Sequence, residues 1–481
     1  MKNKSAIGFK TGAGMTRVLL SLSLAWAAVQ TAAAQNRNIP EFFTANCATC
    51  HGQDLRGGSA KSLVEGNWQN GSDDASIARI IREGDATRGM PAFGETLSDA
   101  EIRAMVVLVR EKIAQAQTNS FAKPIDGDIV SSVEHQFQFR TITEELKTPW
   151  SIAFLPDDRI LVTELPGRLR VIERGKLLPD AVAGTPVVRA KGQGGLMTVA
   201  AHPDFAQNGW IYLAYSDPAT LDNKDVGMTA IVRGRIKDNR WTDEQMIFRA
   251  KPEHYVQTTV HYGCRLTFDD KGYLYFSIGE RGIKEHAQEL SRPNGKIHRL
   301  HDDGRIPQDN PFVGQSNAVA SIWSYGNRNP QGLVFNRVTG ELWETEHGPR
   351  GGDELNLIQR GRNYGWPVIT YGMDYPGTPI TAFTAMEGME QPVIHWTPSI
   401  AVCAMDFYHG KKFPRWQGNL FVTALAQQEL RRLEIKNQRV IKQEVLFKNI
   451  GRVREVACSP DGFIYVALNN PDRVVRLEPA Q

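Results

Sequence analysis

The chain has 481 residues, 41% of them hydrophobic, with 56 Lys and Arg against 53 Asp and Glu for a formal net charge of +3. Four of the basic residues, Lys2, Lys4, Lys10 and Arg17, precede Gln35 with no acidic residue among them, so the rest of the chain stands at −1. Near-neutrality on an ordinary globular composition offers no electrostatic footprint for nucleic acid or an anionic membrane.

Behind that basic stretch lies an apolar run from Val18 to Ala28, then Ala32-Ala33-Ala34 ahead of Gln35. This is the pattern of a secretory signal peptide over residues 1–34, which implies a periplasmic or secreted protein. The run is too short and Ser-interrupted for a retained anchor, and no other stretch is apolar enough to cross a bilayer. About 447 residues follow, enough for two or three domains with sizeable cores.

The first motif is Cys47-Ala48-Thr49-Cys50-His51. Two cysteines three positions apart can each add to a haem vinyl group, and the adjoining histidine is then held where it reaches the iron. A zinc site would want two further ligands at metal spacing, and none is near. The motif ends a helical pattern from Ile39 to Ala48, with Phe42, Phe43 and Cys47 on one face. A sixth iron ligand is expected from Met90 in Gly89-Met90-Pro91-Ala92-Phe93, where the proline fixes an extended loop. Met105 competes, but it lies on a helical face with Ile102, Val106 and Val109, behind a capping box of Ser98 and Glu101. Taken together, residues 35–116 resemble a small class I cytochrome c, which implies an all-α domain with covalent haem c and with His51 and Met90 as axial ligands. Residues 117–135 carry Asn, Ser, Pro, Gly and Asp without periodicity and read as a linker.

From residue 136 to 481 the texture is β. Six turn pairs each introduce a strand-like run: Asp157-Asp158, Asn208-Gly209, Lys271-Gly272, Thr339-Gly340, Gln417-Gly418 and Asp461-Gly462. Residues that tolerate the turn, followed by β-branched and aromatic residues, are a hairpin signal. Six of them at roughly 45 to 80-residue spacing predict a six-bladed, all-β propeller with loop insertions. A pair of β-sandwiches is the alternative reading. The architecture alone does not give a function.

Several loops are too polar and Gly-rich for blade core. They are Gly192-Gln193-Gly194-Gly195, His261-Tyr262-Gly263-Cys264-Arg265, Gly279-Glu280-Arg281-Gly282 and Tyr325-Gly326-Asn327-Arg328-Asn329-Pro330. Further along come Glu346-His347-Gly348-Pro349-Arg350-Gly351-Gly352-Asp353, Trp396-Thr397-Pro398-Ser399 and Arg452-Val453-Arg454-Glu455. In order and over nearly the whole propeller, these resemble the soluble aldose sugar dehydrogenases that use pyrroloquinoline quinone (PQQ), the glucose/sorbosone dehydrogenase family. PQQ is a planar ortho-quinone with three carboxylates, so arginines, an aromatic cover and a hard cation suit it.

The resemblance implies His261 as the general base for the sugar hydroxyl, a task that suits neutral imidazole. It implies Gln193 as a polar contact beside the sugar, and Arg328 and Asn329 at the quinone oxygens. Gly348 and Pro349 would offer backbone carbonyls to Ca2+, which prefers oxygen ligands and would polarise the quinone. Arg452 and Arg454 would serve the carboxylates, Trp396 would cover the cofactor plane, and Asp353 would stand near the metal loop. The chain departs from the pattern at Cys264, where related chains usually have glycine, and at Val402-Cys403, which replaces a Pro-Ser pair. A lysine used by some members on the carboxylates has no match around Ala424-Leu425-Ala426. Cys264 and Cys403 are expected to approach each other near the cofactor mouth, and Cys458 to be a buried small hydrophobe.

The function implied is a quinohaem oxidoreductase that converts an aldose to its lactone and passes electrons to the fused haem and then to an external electron acceptor. Oxidation of another hydroxyl compound, sorbosone-like or a non-sugar alcohol, stands beside it. A non-enzymatic carbohydrate- or protein-binding propeller is the third reading, and it has no reason to gather His261, Gln193, Arg452 and Arg454 around one cavity.

Overall fold

The computed structural model describes residues 37–66, 68–117 and 123–480; the leader read over 1–34 lies outside them. The helical part opens with α1 (Ile39–Asn46), whose N-terminus is capped by Asn38 and carries Pro40 in its first turn. It runs through Cys47 into the short α2 (Ala48–His51). Next come α3 (Asp74–Glu83), capped by Asp73, and α4 (Asp99–Gln117). The expected capping box is formed: the Ser98 backbone N–H donates to Glu101 Oε2 at 2.9 Å and the Glu101 N–H to Ser98 Oγ at 3.4 Å. Ile39, Phe43, Ile77, Ile81, Ile102, Met105, Val106 and Val109 share one buried cluster. Met105 is thus core, as its helical face predicts.

The rest is a six-bladed propeller. Four-stranded sheets occupy residues 149–177, 196–249, 266–325, 330–396 and 402–448, here blades I to V. Blade VI takes three strands from 452–479 and its outer strand, Gln136–Thr143, from the other end of the chain, with Phe139 opposite Leu477 and Phe137 opposite Pro479. That closure pairs the first and last parts of the propeller through main-chain hydrogen bonds. Ile129–Ser131, within the segment read as a linker, pairs antiparallel with Gln136–Thr143 as a fifth strand.

The innermost strands of successive blades touch in a closed ring, I to VI and back to I. The apolar core lies in the seams between blades. Blade II supplies Met197, Tyr212 and Met228 against Leu266 and Phe276 of blade III, and blade IV supplies Trp343 and Leu355 against Val402 and Phe407 of blade V. Each Leu or Phe fully buried there contributes about 1.5–3 kcal/mol. Strands such as Leu274–Ile278 are buried at every position because both faces meet a neighbouring blade.

All six expected turns fall between the first and second strands of a blade, so they lie at one end of the propeller. At the other end lie the segments that enter the inner strands. There, five of six inner strands break register with their neighbour within a few residues of entry: Pro149/Ser151, Leu196/Val199, Pro330/Gly332, Val402/Met405 and Val453/Glu455. An unpaired extra residue kinks the strand and re-aims its side chains.

Candidate active site

The polar loops converge at that bulged end. His261 precedes the inner strand of blade III and adopts a left-handed backbone with φ +54°, an uncommon state for a residue with a side chain and one held by its surroundings. Gln193, from the loop entering blade II, accepts the His261 backbone N–H on Oε1 at 2.8 Å. On the blade III side, a Cβ at Gly279 would collide with the His261 carbonyl oxygen and lie 3.0 Å from Asn329 Oδ1, so only glycine lets these loops meet.

The imidazole itself is held by Glu280. His261 Nδ1 lies 2.6 Å from Glu280 Oε2, which also accepts the Gly282 N–H at 2.9 Å. A carboxylate only accepts, so Nδ1 carries the proton and Nε2 is left with a lone pair. Burial lowers the His261 pKa; the Glu280 hydrogen bond opposes that shift and nearby Arg328 adds to it. The imidazole is therefore neutral at pH 7. Glu280 was legible as part of a polar loop motif but had no assigned role; its distance to His261 supplies one.

Arg328 and Asn329 enter blade IV beside this pair. The Arg328 N–H donates to Glu346 Oε2, and its guanidinium donates to the carbonyls of His347 at 2.9 Å and Gly348 at 3.2 Å. Asn329 Oδ1 accepts the Gly263 N–H at 3.1 Å, while its Nδ2 is buried without a partner among the described residues. The Gly348 loop is fixed from below by Asp353, fully buried, which accepts the Gly348 N–H at 2.8 Å, Ser399 Oγ at 2.7 Å and the Val402 N–H at 3.0 Å. Burial pushes the Asp353 carboxyl up to about 6 against those hydrogen bonds.

On blade VI, Arg454 donates to Gln331 Oε1 at 3.0 Å and sits 3.5 Å from Cys403 Sγ. Arg452 lies close enough that burial and the Arg454 charge together lower its pKa. Among the described residues neither arginine has a carboxylate partner, and Glu455 beside them is paired with Arg265. His347 joins the two sides: burial and the charges of Arg328 and Arg454 hold it well below the usual histidine range, and its Nε2 is buried without a partner.

Three expectations need correction or reassignment. Cys264 and Cys403 are free thiols. Cys264 packs in the cluster with Trp150, Met197 and Tyr262, at φ +88°, whereas the Cys403 sulfur faces Gln331 and Arg454. The positive φ explains why glycine suits that position. Trp396 is not brought to the site: it is buried in the seam of blades IV and V with Trp343 and Leu355, and its Nε1 donates to Gln443 at 3.0 Å. Aromatic residues that do stand beside the site include Trp366 and Tyr375, whose rings lie 5.3 and 5.9 Å from the Arg328 guanidinium, and Trp150, 5.9 Å from that of Arg454; Tyr375 is 65% exposed. Cys458 is partly buried against the core shared by blades V and VI.

The residues fit the groups that the resemblance implies. The guanidinium groups of Arg328, Arg452 and Arg454, without acidic partners among the described residues, together with the buried orphaned polar atoms of Asn329 and His347, suit a planar polycarboxylate. No cluster of three or more acidic, histidine or cysteine ligands occurs among the described residues; backbone oxygens are also ligands that a hard cation accepts. The His347 and Gly348 carbonyls already turn toward a positive guanidinium. In the helical part, Cys47 is pushed up to about 11 by burial and by the neighbouring Cys50. Cys50 is exposed, and Phe42, Leu63, Trp68, Met90 and Phe93 form a half-buried apolar rim that a macrocycle would cover. His51 Nδ1 is buried without a partner.

A cavity of about 420 Å³ lies at the opposite, turn end between blades I and VI, lined by Arg140, Arg159, Arg174, Tyr465, Asp461 and Arg476. Arg159 and Arg476 there are already paired with Asp157 and Glu478.

Comparison with known proteins agrees with this geometry. Residues 146–476 match the family described as Glucose / Sorbosone dehydrogenase, and residues 34–109 match Cytochrome C oxidase, cbb3-type, subunit III. Aldose sugar dehydrogenase YliI of Escherichia coli is 44% identical over 331 residues, covering 68% of this chain and 88% of that protein. The apo crystal structure of the soluble aldose sugar dehydrogenase from Escherichia coli aligns with a TM-score of 0.67 at 39% identity, over 72% of this chain and all of that one. The PQQ-bound aldose sugar dehydrogenase of Streptomyces coelicolor shares the fold at a TM-score of 0.59 and 24% identity, over 74% of this chain and 99% of that one. With a matched segment that spans most of the propeller, the chain belongs to the glucose/sorbosone dehydrogenase family and carries a cbb3-type cytochrome c domain ahead of it.

Proposed function

We propose that this oxidoreductase is a periplasmic or secreted PQQ-dependent aldose dehydrogenase whose electrons leave through its own haem c. The observation that carries the reading is His261, neutral, with Nδ1 tied to Glu280 and Nε2 open beside Arg328. That arrangement suits removal of the proton from the anomeric hydroxyl as the C1 hydrogen leaves with its electron pair, giving the lactone. Bound PQQ supplies the two-electron acceptor for that hydride, and haem a one-electron acceptor after it, so an external acceptor must take up electrons between the two transfers.

The chain's own groups do the rest. Arg328 and Asn329 hold the quinone edge and favour the charge that develops there. Arg452 and Arg454 bind the carboxylates, and Tyr375 and Trp366 supply aromatic cover. Asp353 keeps the Gly348-Pro349 carbonyls in place for calcium. Gln193, committed through Oε1 to the His261 backbone, keeps the base in its left-handed conformation and has its amide nitrogen left for the sugar. In the cytochrome domain, Cys47 and Cys50 would anchor the haem and His51 and Met90 would ligate its iron, which would then supply one-electron transfer. That domain is what favours an internal electron route over a binding module.

The test is haem reduction in the oxidised full-length protein on adding an aldose, with and without PQQ and calcium. Reduction only when sugar and both additions are present is expected. PQQ binding without any sugar-driven reduction would reject the aldose, and no PQQ binding would reject the quinoprotein.

A further inference from the structure

We infer that α4 is a docking strip that holds the cytochrome domain in one arrangement on the site end of blade IV, with Arg350 and Glu111 as its positioning pair. The inference rests on the proposed function only for what the docking serves; the docking itself stands on contacts.

Arg103, Val107 and Glu111 are spaced four residues apart and therefore form one stripe along α4. It runs beside the Ile102, Val106 and Val109 face, and Val107 belongs to the same buried cluster, which also takes in Met373 of blade IV. Each member meets blade IV. Arg103 lies within electrostatic reach of Tyr371 and His395, whose rings stack with centroids 3.7 Å apart. Val107 Cγ1 would be 3.2 Å from a Cβ at Gly351, which has φ +80°, so the helix approaches a backbone that a side chain would hold off. Glu111 receives a two-pronged hydrogen bond from Arg350, Nε to Oε1 at 3.1 Å and Nη2 to Oε2 at 2.5 Å, with the two side chains only 13% and 22% exposed.

The start of α1 adds a second line of contact. The Ile39 N–H donates to the Gly377 carbonyl at 3.0 Å and Asn38 Nδ2 to the Pro376 carbonyl at 3.1 Å. Met373, fully buried, belongs to the cytochrome's own apolar cluster. The segments touched, 350–351 and 371–377, are the continuation of the Gly348-Pro349 loop and the turn that carries Tyr375. A propeller has two ends and a rim; the domain sits at the end that carries the candidate site, on one of the four blades that build it. Arg350 also donates through Nη1 to the Tyr375 carbonyl at 3.4 Å, so one guanidinium grips both the helix and the site segment.

A domain merely tethered would meet the site at an effective concentration in the millimolar range and by collision, whereas a docked one keeps donor and acceptor at fixed separation. Glu111 is then needed for internal electron transfer and not for sugar oxidation.

The decisive variant is Glu111→Arg in the haem-loaded full chain. Sugar-driven haem reduction should slow about tenfold or more, the loss that a charge-assisted bidentate pair supports. Sugar-driven reduction of a small soluble dye at the propeller should stay within about twofold. Hydrogen exchange should rise both in 103–111 and in 350–377, and Glu111→Arg combined with Arg350→Glu should restore haem reduction. Unchanged exchange in the single variant, or raised exchange with haem reduction at the wild-type rate, overturns the inference. If wild-type protein reduces neither dye nor haem with sugar, the proposed function has failed, and the exchange result still decides the docking by itself.

Discussion

The two ends of the propeller use the same six strand ladders for opposite purposes. At the turn end, the second residue of each hairpin turn has φ between +64° and +90°: Asp158, Gly209, Gly272, Gly340, Gly418 and Gly462. The geometry repeats blade after blade. At the other end the loops diverge: five inner strands carry register breaks, His261 is left-handed, and the loops from blades II, III, IV and VI differ in sequence and contacts. The regular end keeps the fold identical in every blade, and the irregular end spends that regularity on placing single side chains. Changes at the site end should therefore alter chemistry with little effect on stability, and changes at the turn end should do the reverse.

The sharpest contrast comes from His261→Ala. Loss of a general base costs about 10²–10⁴ in kcat, and Arg452 and Arg454 are untouched. Turnover with aldose should vanish while PQQ titration still saturates. Turnover near the wild-type level would remove His261 from the role of base.

Glu280→Gln is the finer probe of the same pair. The Glu280 hydrogen bond raises the His261 pKa against burial and Arg328, so its loss lets the pKa fall further. The active form is the neutral imidazole, and the acid limb of kcat/KM should accordingly move to lower pH. The plateau should drop by about tenfold as the base weakens. An acid limb that moves upward or stays put would mean the carboxylate does not tune the base.

How much of this could be read from the sequence follows the same division. The six turns were legible because a glycine or aspartate before a β-branched run is a local signal, and the local geometry is what formed. The register breaks were not, since they arise where six inner strands crowd one channel and no single segment encodes that. His261, Arg328, Asn329, Arg452 and Arg454 do gather at one end, whereas Trp396 went to a seam, because a tryptophan satisfies a core as readily as a pocket and its sequence neighbours do not distinguish the two. On α4 the Ile102, Met105, Val106 and Val109 face was legible from its period. The unbroken run Met105–Val109 also carried a second message: Val107 and Leu108 are buried as well, and Val107 lies on the face covered by blade IV.

At the turn end, Gly272→Ala tests the contrast from the other side. Gly272 has φ +78°, and no heavy atom lies within 4 Å of where a Cβ would stand, so substitution meets strain without a clash. A destabilisation of about 1 kcal/mol is expected, read as a lower midpoint of thermal unfolding, with kcat and KM for the aldose unchanged. A change in kcat at constant stability would mean the two ends are coupled.

The smallest effect concerns the one blade that departs from glycine. Asp158 occupies the left-handed position of the blade I turn at φ +64°, where five other blades have glycine. Its neighbour Asp157 does the local hydrogen bonding, accepting the Arg159 N–H at 3.3 Å and the Arg159 guanidinium Nε at 3.0 Å. Asp158 is exposed, and its side chain adds no bond among the described residues. Asp158→Gly relieves the strain of a Cβ in that region and adds freedom to the unfolded chain, two terms of opposite sign. Aspartate tolerates the left-handed region better than most residues, so the relief is small, and a net gain of about 0.5 kcal/mol or less is expected. A stability loss would mean that Asp158 does something in its turn that glycine cannot, and that blade I is a functional exception at the regular end.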